Sequence, residues 1–212
     1  MVTFKLITSQ FPANNIKTEN AILKELRTNI DFYDDYDHEN DENNFMEAFN
    51  LIDNEFSLVE TNKFVINGYN LEWKDYKYYI NNIFPEIFDV INDLRNNNST
   101  KLIFYGTEEQ RIIHFYPNMN TISKNTIYSN CTSLKDGKTL GISETIEKYC
   151  LLDQLTEIIY NFAFFAKLNY PLIYHSFLLP YLTSKRSNCI FHPVGQKYKN
   201  SNQAVWIPFS AK

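Results

Sequence analysis

The residues of this chain able to bind a metal, move a proton or attack a carbonyl are few: four histidines, three cysteines and some clustered carboxylates. Cys189 and His192 stand three apart, a spacing that serves zinc or a thiolate–imidazole pair, but any further ligands must come from His38, His114 or His175, far away in the chain. A buried thiol beside a surface imidazole is the expectation there. His114 shares parity with Ile112 and Tyr116 in a strand pattern, which places it on a half-buried sheet face. His175 sits among Ile173, Tyr174, Phe177 and Leu178, where a hydrogen-bonded core imidazole is expected. Glu108 and Glu109 adjoin in a turn, and acid–base work by such a pair needs a cleft around it. Gly137-Lys138-Thr139 ends like a phosphate loop, yet Thr132 stands where that loop requires its first glycine. No G-x-S-x-G elbow occurs. The sequence therefore assigns no catalytic residue, no metal and no cofactor. The enzymatic alternative is a site built from His114, Glu108 and Glu109, or from Cys189 and His192.

Charge is more informative. Asp31, Asp34, Asp35, Asp37, Glu39, Asp41 and Glu42 are interleaved with Tyr33, Tyr36 and His38. An EF-hand reading fails, because the sixth position counted from Asp35 is Asn40 where glycine is needed. Residues 31–44 are expected as an exposed loop. Asp31, Asp34, Asp35, Asp37, Glu39, Asp41 and Glu42, with Tyr36 as an aromatic anchor, are the candidate partner-binding set for a basic macromolecule. The plainer alternative is a solvated loop. Residues 1–100 hold 18 acids and 8 bases, whereas residues 101–212 hold 7 acids and 12 bases. The tail bases Lys185, Arg186, Lys197 and Lys199, with Tyr181, Phe191, Tyr198 and Trp206, offer a second alternative, contact with nucleic acid. Their sparseness and the acidic balance of the whole chain, a net charge of −5, weigh against it.

These side chains need a scaffold. With 212 residues, 44% hydrophobic and 21% charged, the chain has the composition of a globular protein. A chain of this size buries roughly 70% of its extended surface on folding, so no disulfide or metal staple is needed. One α+β domain over 1–212 is expected, with an irregular C-terminal segment from 184. Three widely spaced cysteines form no disulfide framework and suit a reducing cytoplasm, and the opening residues do not resemble a signal peptide. Tyr149 to Ile173 is the most apolar stretch. It contains Asp153, Glu157 and Lys167, which are costly in a bilayer, so no membrane span is expected.

Met1 to Ile7 reads as a first strand and Thr18 to Leu26 as a helix capped at Thr18. Phe45, Met46, Phe49 and Ile52 form one helical face, while Phe56–Val59 and Phe64–Leu71 read as strands with a turn at Asn67-Gly68. Apolar steps of three and four from Trp73 to about Arg95 predict a long helix, with Pro85 kinking or dividing it near Phe84. Lys101–Tyr105 and Ile112–Tyr116 form a hairpin, extended to a meander by Thr121–Tyr128. A second long helix runs from Ser143 to about Leu168, with Glu144 and Glu147 in its first turn and Tyr149 among its buried residues. A short helix follows Pro171. The fold class is α+β, an antiparallel meander over 101–128 against helices near 73–95 and 143–168.

The segment Leu71-Glu72-Trp73-Lys74-Asp75-Tyr76 opening a helix, the hairpin 101–105 and 112–116, and the second helix from Ile142 resemble small cytoplasmic immunity proteins of bacterial polymorphic or contact-dependent toxin systems. The resemblance covers about residues 71–170. It implies a cytoplasmic binding protein that neutralises a cognate toxin domain, often a nuclease, by covering its active site or an adjacent surface. It carries over no functional residue. An acidic surface suits that task, because nucleases are basic where they meet phosphate.

Overall fold

The computed structural model describes residues 1–9, 12–14, 16–33, 41–73, 80–105, 110–118 and 125–188. It is an α+β fold with two antiparallel sheets. Strands β1 (Thr3–Ile7) and β2 (Lys63–Asn67) pair as a ribbon, Phe4 opposite Ile66 and Leu6 opposite Phe64. A four-stranded meander follows the chain order β3 (Thr100–Phe104), β4 (Arg111–Pro117), β5 (Thr126–Ser133) and β6 (Thr139–Glu147). Around these lie α1 (Glu19–Tyr33), α2 (Asp41–Leu58), α3 (Ile80–Arg95) and α4 (Lys148–Asn169). A single turn α5 (Pro171–Ile173), a π-helical segment (Tyr174–Leu178) and α6 (Leu179–Asn188) complete the described chain.

Several boundaries differ from those read off the sequence. Phe56–Val59 is not a strand, because Phe45, Phe49, Ile52 and Phe56 continue one buried helical stripe and carry α2 to Leu58. The loop expected over 31–44 does not hold at its two ends, since α1 runs on to Tyr33 and α2 starts at Asp41. Trp73 lies outside α3, so Pro85 falls in the second turn of a helix that begins at Ile80. The C terminus of α3 closes in a Schellman motif: Asn97 takes the left-handed conformation (φ 60°), its N–H bonds the Leu94 carbonyl and the Asn98 N–H reaches back to Asp93. Ser143–Glu147 belongs to β6 instead of opening a helix. Ile146 pairs with Ile127 and Thr145 with Tyr128, and the inward–outward alternation has the period of a strand.

The core is aromatic. Phe162 of α4 packs on Phe49 (4.6 Å between ring centroids), Phe84 (5.1 Å) and Phe56 (5.9 Å), joining α2, α3 and α4, and Phe4 meets Phe115 at 6.3 Å between the two sheets. Such pairs add about 0.5–1.5 kcal/mol each beyond area burial. The free edge of β1 is closed by side chains of α4: Gln154 accepts the Phe4 N–H and Asn161 donates to the Leu6 carbonyl. The segment leading into α1 is tied down in the same way, with Ser9 N–H on Asn62, Ala13 N–H on Asn169 and Lys17 N–H on the buried Glu55. Part of the asparagine content of this chain thus replaces a sheet ladder for irregular backbone.

The two sheets are joined through Tyr69. Gly68, Tyr69 and Asn70 all have positive φ, and the buried Tyr69 hydroxyl shares a short hydrogen bond with Ser129. The Tyr69 N–H donates to Glu144, whose carboxylate also pairs with the Met1 ammonium, and the Ile142 N–H donates to the Tyr69 carbonyl. A bulge makes room: the register passes from Ser129–Glu144 to Cys131–Leu140, leaving Gly141, Ile142 and Ser143 opposite Asn130.

Candidate interaction surface

The inner face of the meander buries Leu102, Phe104, Ile113, Phe115, Ile127, Cys131 and Ile146. By the two-residue period of a strand, the opposite face carries Lys101 and Ile103 on β3, Ile112, His114 and Tyr116 on β4, and Tyr128, Asn130 and Thr132 on β5. Register sets their neighbours: Lys101 stands opposite His114, His114 opposite Asn130, and Tyr116 opposite Tyr128. The His114 and Tyr116 rings are stacked with centroids 6.0 Å apart and 13° between planes, and the Tyr116 and Tyr128 rings lie 6.1 Å apart. Tyr105, Tyr116 and Tyr128 keep 44, 40 and 46% of their surface exposed. The Tyr128 hydroxyl donates to Ser143, which fixes the ring, and His114 Nε2 lies 3.0 Å from the Thr132 hydroxyl. Burial, and then the Lys101 charge, hold the His114 imidazole below its ordinary pKa, so its neutral form is favoured.

Beneath this face Arg111 and Trp73 tie the sheet to the segment before α3. Arg111 lies 4.8 Å from the Trp73 ring centroid and donates to the Glu72 carbonyl, while Trp73 itself donates to Gly68 and packs edge-on against Phe104. At the β3 edge, Glu86 of α3 accepts the Ile103 N–H, and burial raises its carboxyl pKa.

Of the residues singled out in the sequence, His114 lies on the expected face. His175 does not lie in the core. It is exposed within the π-helical segment, off the stripe buried by Ile173, Tyr174 and Leu178, and lies edge-on to the Tyr174 ring. Of the acidic run, Asp31 is on α1, and Asp41 and Glu42 are the first two residues of α2. Asp34, Asp35, Tyr36, Asp37 and Glu39 lie outside the described residues, as do Glu108, Glu109, Cys189 and His192. Gly137 and Lys138 lie in the β5–β6 turn and Thr139 opens β6; the turn is closed by the Gly137 N–H on the Ser133 carbonyl and the Ser133 N–H on the Lys138 carbonyl. Among the described residues no group of three or more His, Cys, Asp or Glu could hold a metal, and no helix is long and apolar enough to cross a membrane.

Two features escaped the sequence reading. The opposition of Tyr116 and Tyr128 depends on the register of β5, which is Thr126–Ser133; residues 121–124 of the expected third run lie outside the described residues. Tyr149, read as a core residue, is exposed on the outside of α4 in line with Asp153, Glu157, Tyr160 and Phe164. The spacing 149, 153, 157, 160, 164 was the signal for that stripe. Comparison of the chain with protein-family models, with curated proteins and with solved structures finds no match.

Proposed function

We propose that this chain is a cytoplasmic binding protein that neutralises a cognate bacterial toxin domain, in the manner of an immunity protein, by covering part of its surface and without chemistry of its own. The observation that supports this reading is the tyrosine-bearing outer face of the meander. Tyr116 and Tyr128 stand opposite each other, half exposed, on a sheet whose other face is locked into the core. Tyrosine carries large contact area on two side-chain torsions, so it loses little entropy on binding and serves as an interface anchor. Ile103 and Ile112, directly opposite and half-buried, supply an apolar centre, and His114, Asn130 and Thr132 supply hydrogen-bonding groups around it. The carboxylates between Asp31 and Glu42 act at longer range, steering a basic domain such as a nuclease toward the complex.

The experiment begins with the gene beside this one, which on this reading encodes a large secreted protein with a C-terminal toxin domain. Titration of that domain into the full chain should give a one-to-one complex. Replacing Tyr116 and Tyr128 together by alanine should weaken it by about 30-fold or more, the loss of at least one anchor of about 2 kcal/mol. A neighbouring gene of metabolic type, or an affinity indifferent to both tyrosines, would refute the reading.

A further inference from the structure

The outer stripe of α4 lies on other residues and has a different chemistry from the sheet face. Tyr149, Tyr160 and Phe164 are 59, 42 and 46% exposed, and the exposed carboxylates of Asp153 and Glu157 stand between them. At 3.6 residues per turn these five side chains share an arc of about 80° over a length of about 22 Å. Neither carboxylate has an ion pair or a hydrogen bond among the described residues. Two like charges at i and i+4 work against the helix, so this arrangement is stabilised by whatever brings positive charge to it. Partial desolvation beside the helix holds the Asp153 carboxyl above its ordinary pKa. Of the cations at hand, Lys148 is committed to the Arg95 carbonyl and the Asn97 side chain. Lys5 stands on the wall of an open hollow of about 400 Å³ where Glu157 and Gln154 of α4 meet Thr3, Ile7 and Val65.

We propose that the outer face of α4, together with this hollow, docks a cationic amphipathic segment of the protein partner. Its Lys or Arg side chains meet Asp153 and Glu157, and its apolar residues lie across Tyr149, Tyr160 and Phe164. The inference rests on the reading of the chain as a binding protein and names the chemistry of what it binds. Charge selects the occupant. A second copy of the chain related by a two-fold axis would set carboxylate against carboxylate, and a phosphate-bearing surface would be repelled by the same pair. A basic segment gains both charges, and the exposed aromatic rings add cation–π contact to the apolar area they offer.

The test uses the full chain and two synthetic 16-residue amphipathic helices, one with leucine and lysine faces and one with glutamate replacing each lysine. Amide and aromatic chemical shifts locate the binding. The lysine peptide should perturb Tyr149, Asp153, Glu157, Tyr160 and Phe164, and the glutamate peptide should not bind. The double variant Asp153→Lys with Glu157→Lys should lose about tenfold or more in affinity for the lysine peptide, with circular dichroism confirming its fold. If that variant is unfolded, Asp153→Asn with Glu157→Gln should show a smaller loss in the same direction. Equal binding of both peptides, unchanged affinity in the folded variants, or shifts confined to residues 31–42 would overturn the proposal. The variant lacking Tyr116 and Tyr128 should bind the lysine peptide at full strength, so the sheet-face reading and this one fail separately.

Discussion

Gly141 and Gly137 provide a paired test of how the two sheets are joined. Both have positive φ, 62° and 70°, so an alanine at either position meets the left-handed backbone penalty of about 1–2 kcal/mol. Their surroundings differ. A Cβ on Gly137 would meet nothing within 4 Å, whereas one on Gly141 would fall on the Tyr69 carbonyl oxygen and lie 2.9 Å from Leu71 Cγ. Since the obstacle is backbone, the Tyr69 loop must withdraw. That withdrawal breaks the bond from the Ile142 N–H, worth about 1 kcal/mol net, and adds about 1–3 kcal/mol for forcing an extra group into packed structure. Gly141→Ala should therefore destabilise the protein by about 2–4 kcal/mol more than Gly137→Ala. Equilibrium urea unfolding of the two variants and the parent, with unchanged m-values, measures the difference. Losses equal within about 0.5 kcal/mol would show that Tyr69 is not seated in the bulge of β6, and the account of the joined sheets would be wrong.

Three further outcomes follow from the same structure. Phe162→Ala removes the ring shared by Phe49, Phe56 and Phe84 and should cost about 3–5 kcal/mol in urea unfolding; a loss under about 1.5 kcal/mol would mean that α2, α3 and α4 do not meet there. His114 should titrate below the ordinary imidazole value by proton NMR, and Lys101→Met should move it part of the way back. Because its folded pKa is depressed, the stability it contributes is full above the ordinary value and is lost as pH falls from there through the lower folded value; an unshifted titration refutes the burial of this ring. Replacing Asp34, Asp35, Asp37 and Asp41 by Asn should slow association with the toxin domain and flatten its salt dependence without unfolding the chain, whereas unchanged kinetics would remove the acidic run from steering.

The elements legible in the sequence were those whose hydrophobic period lasts several turns or whose strands alternate over a full length. The apolar steps of α3 and α4, the hairpin of β3 and β4, and the outward parity of His114 are of that kind. Errors gathered where a distant group decides the local structure. Glu144 reads as a helix-start acid, but it faces inward because it accepts the N–H of Tyr69, 75 residues earlier in the chain. That contact fixes Ser143–Glu147 as strand. Phe56–Val59 has a strand composition in isolation, and only the stripe begun at Phe45 makes it helix. His175 is a different case: Ile173, Tyr174 and Leu178 are the buried positions of one helical stripe, and that spacing leaves His175 facing outward. The two proposed interaction surfaces were legible only as residue types. The opposition of Tyr116 and Tyr128 follows from a register set by backbone pairing, and the line from Tyr149 to Phe164 from which face of α4 the core leaves free.

The central claim is that this protein acts by occupying a surface of another protein. On the proposed reading the adjacent gene should encode a toxin domain, and the most direct measurement is the residual activity of that domain as the purified full chain is added. Activity should fall linearly to zero at one equivalent, and the recovered chain should be chemically unchanged. A toxin domain that stays fully active in the presence of excess chain, or one inactivated by catalytic amounts of it, would contradict the claim.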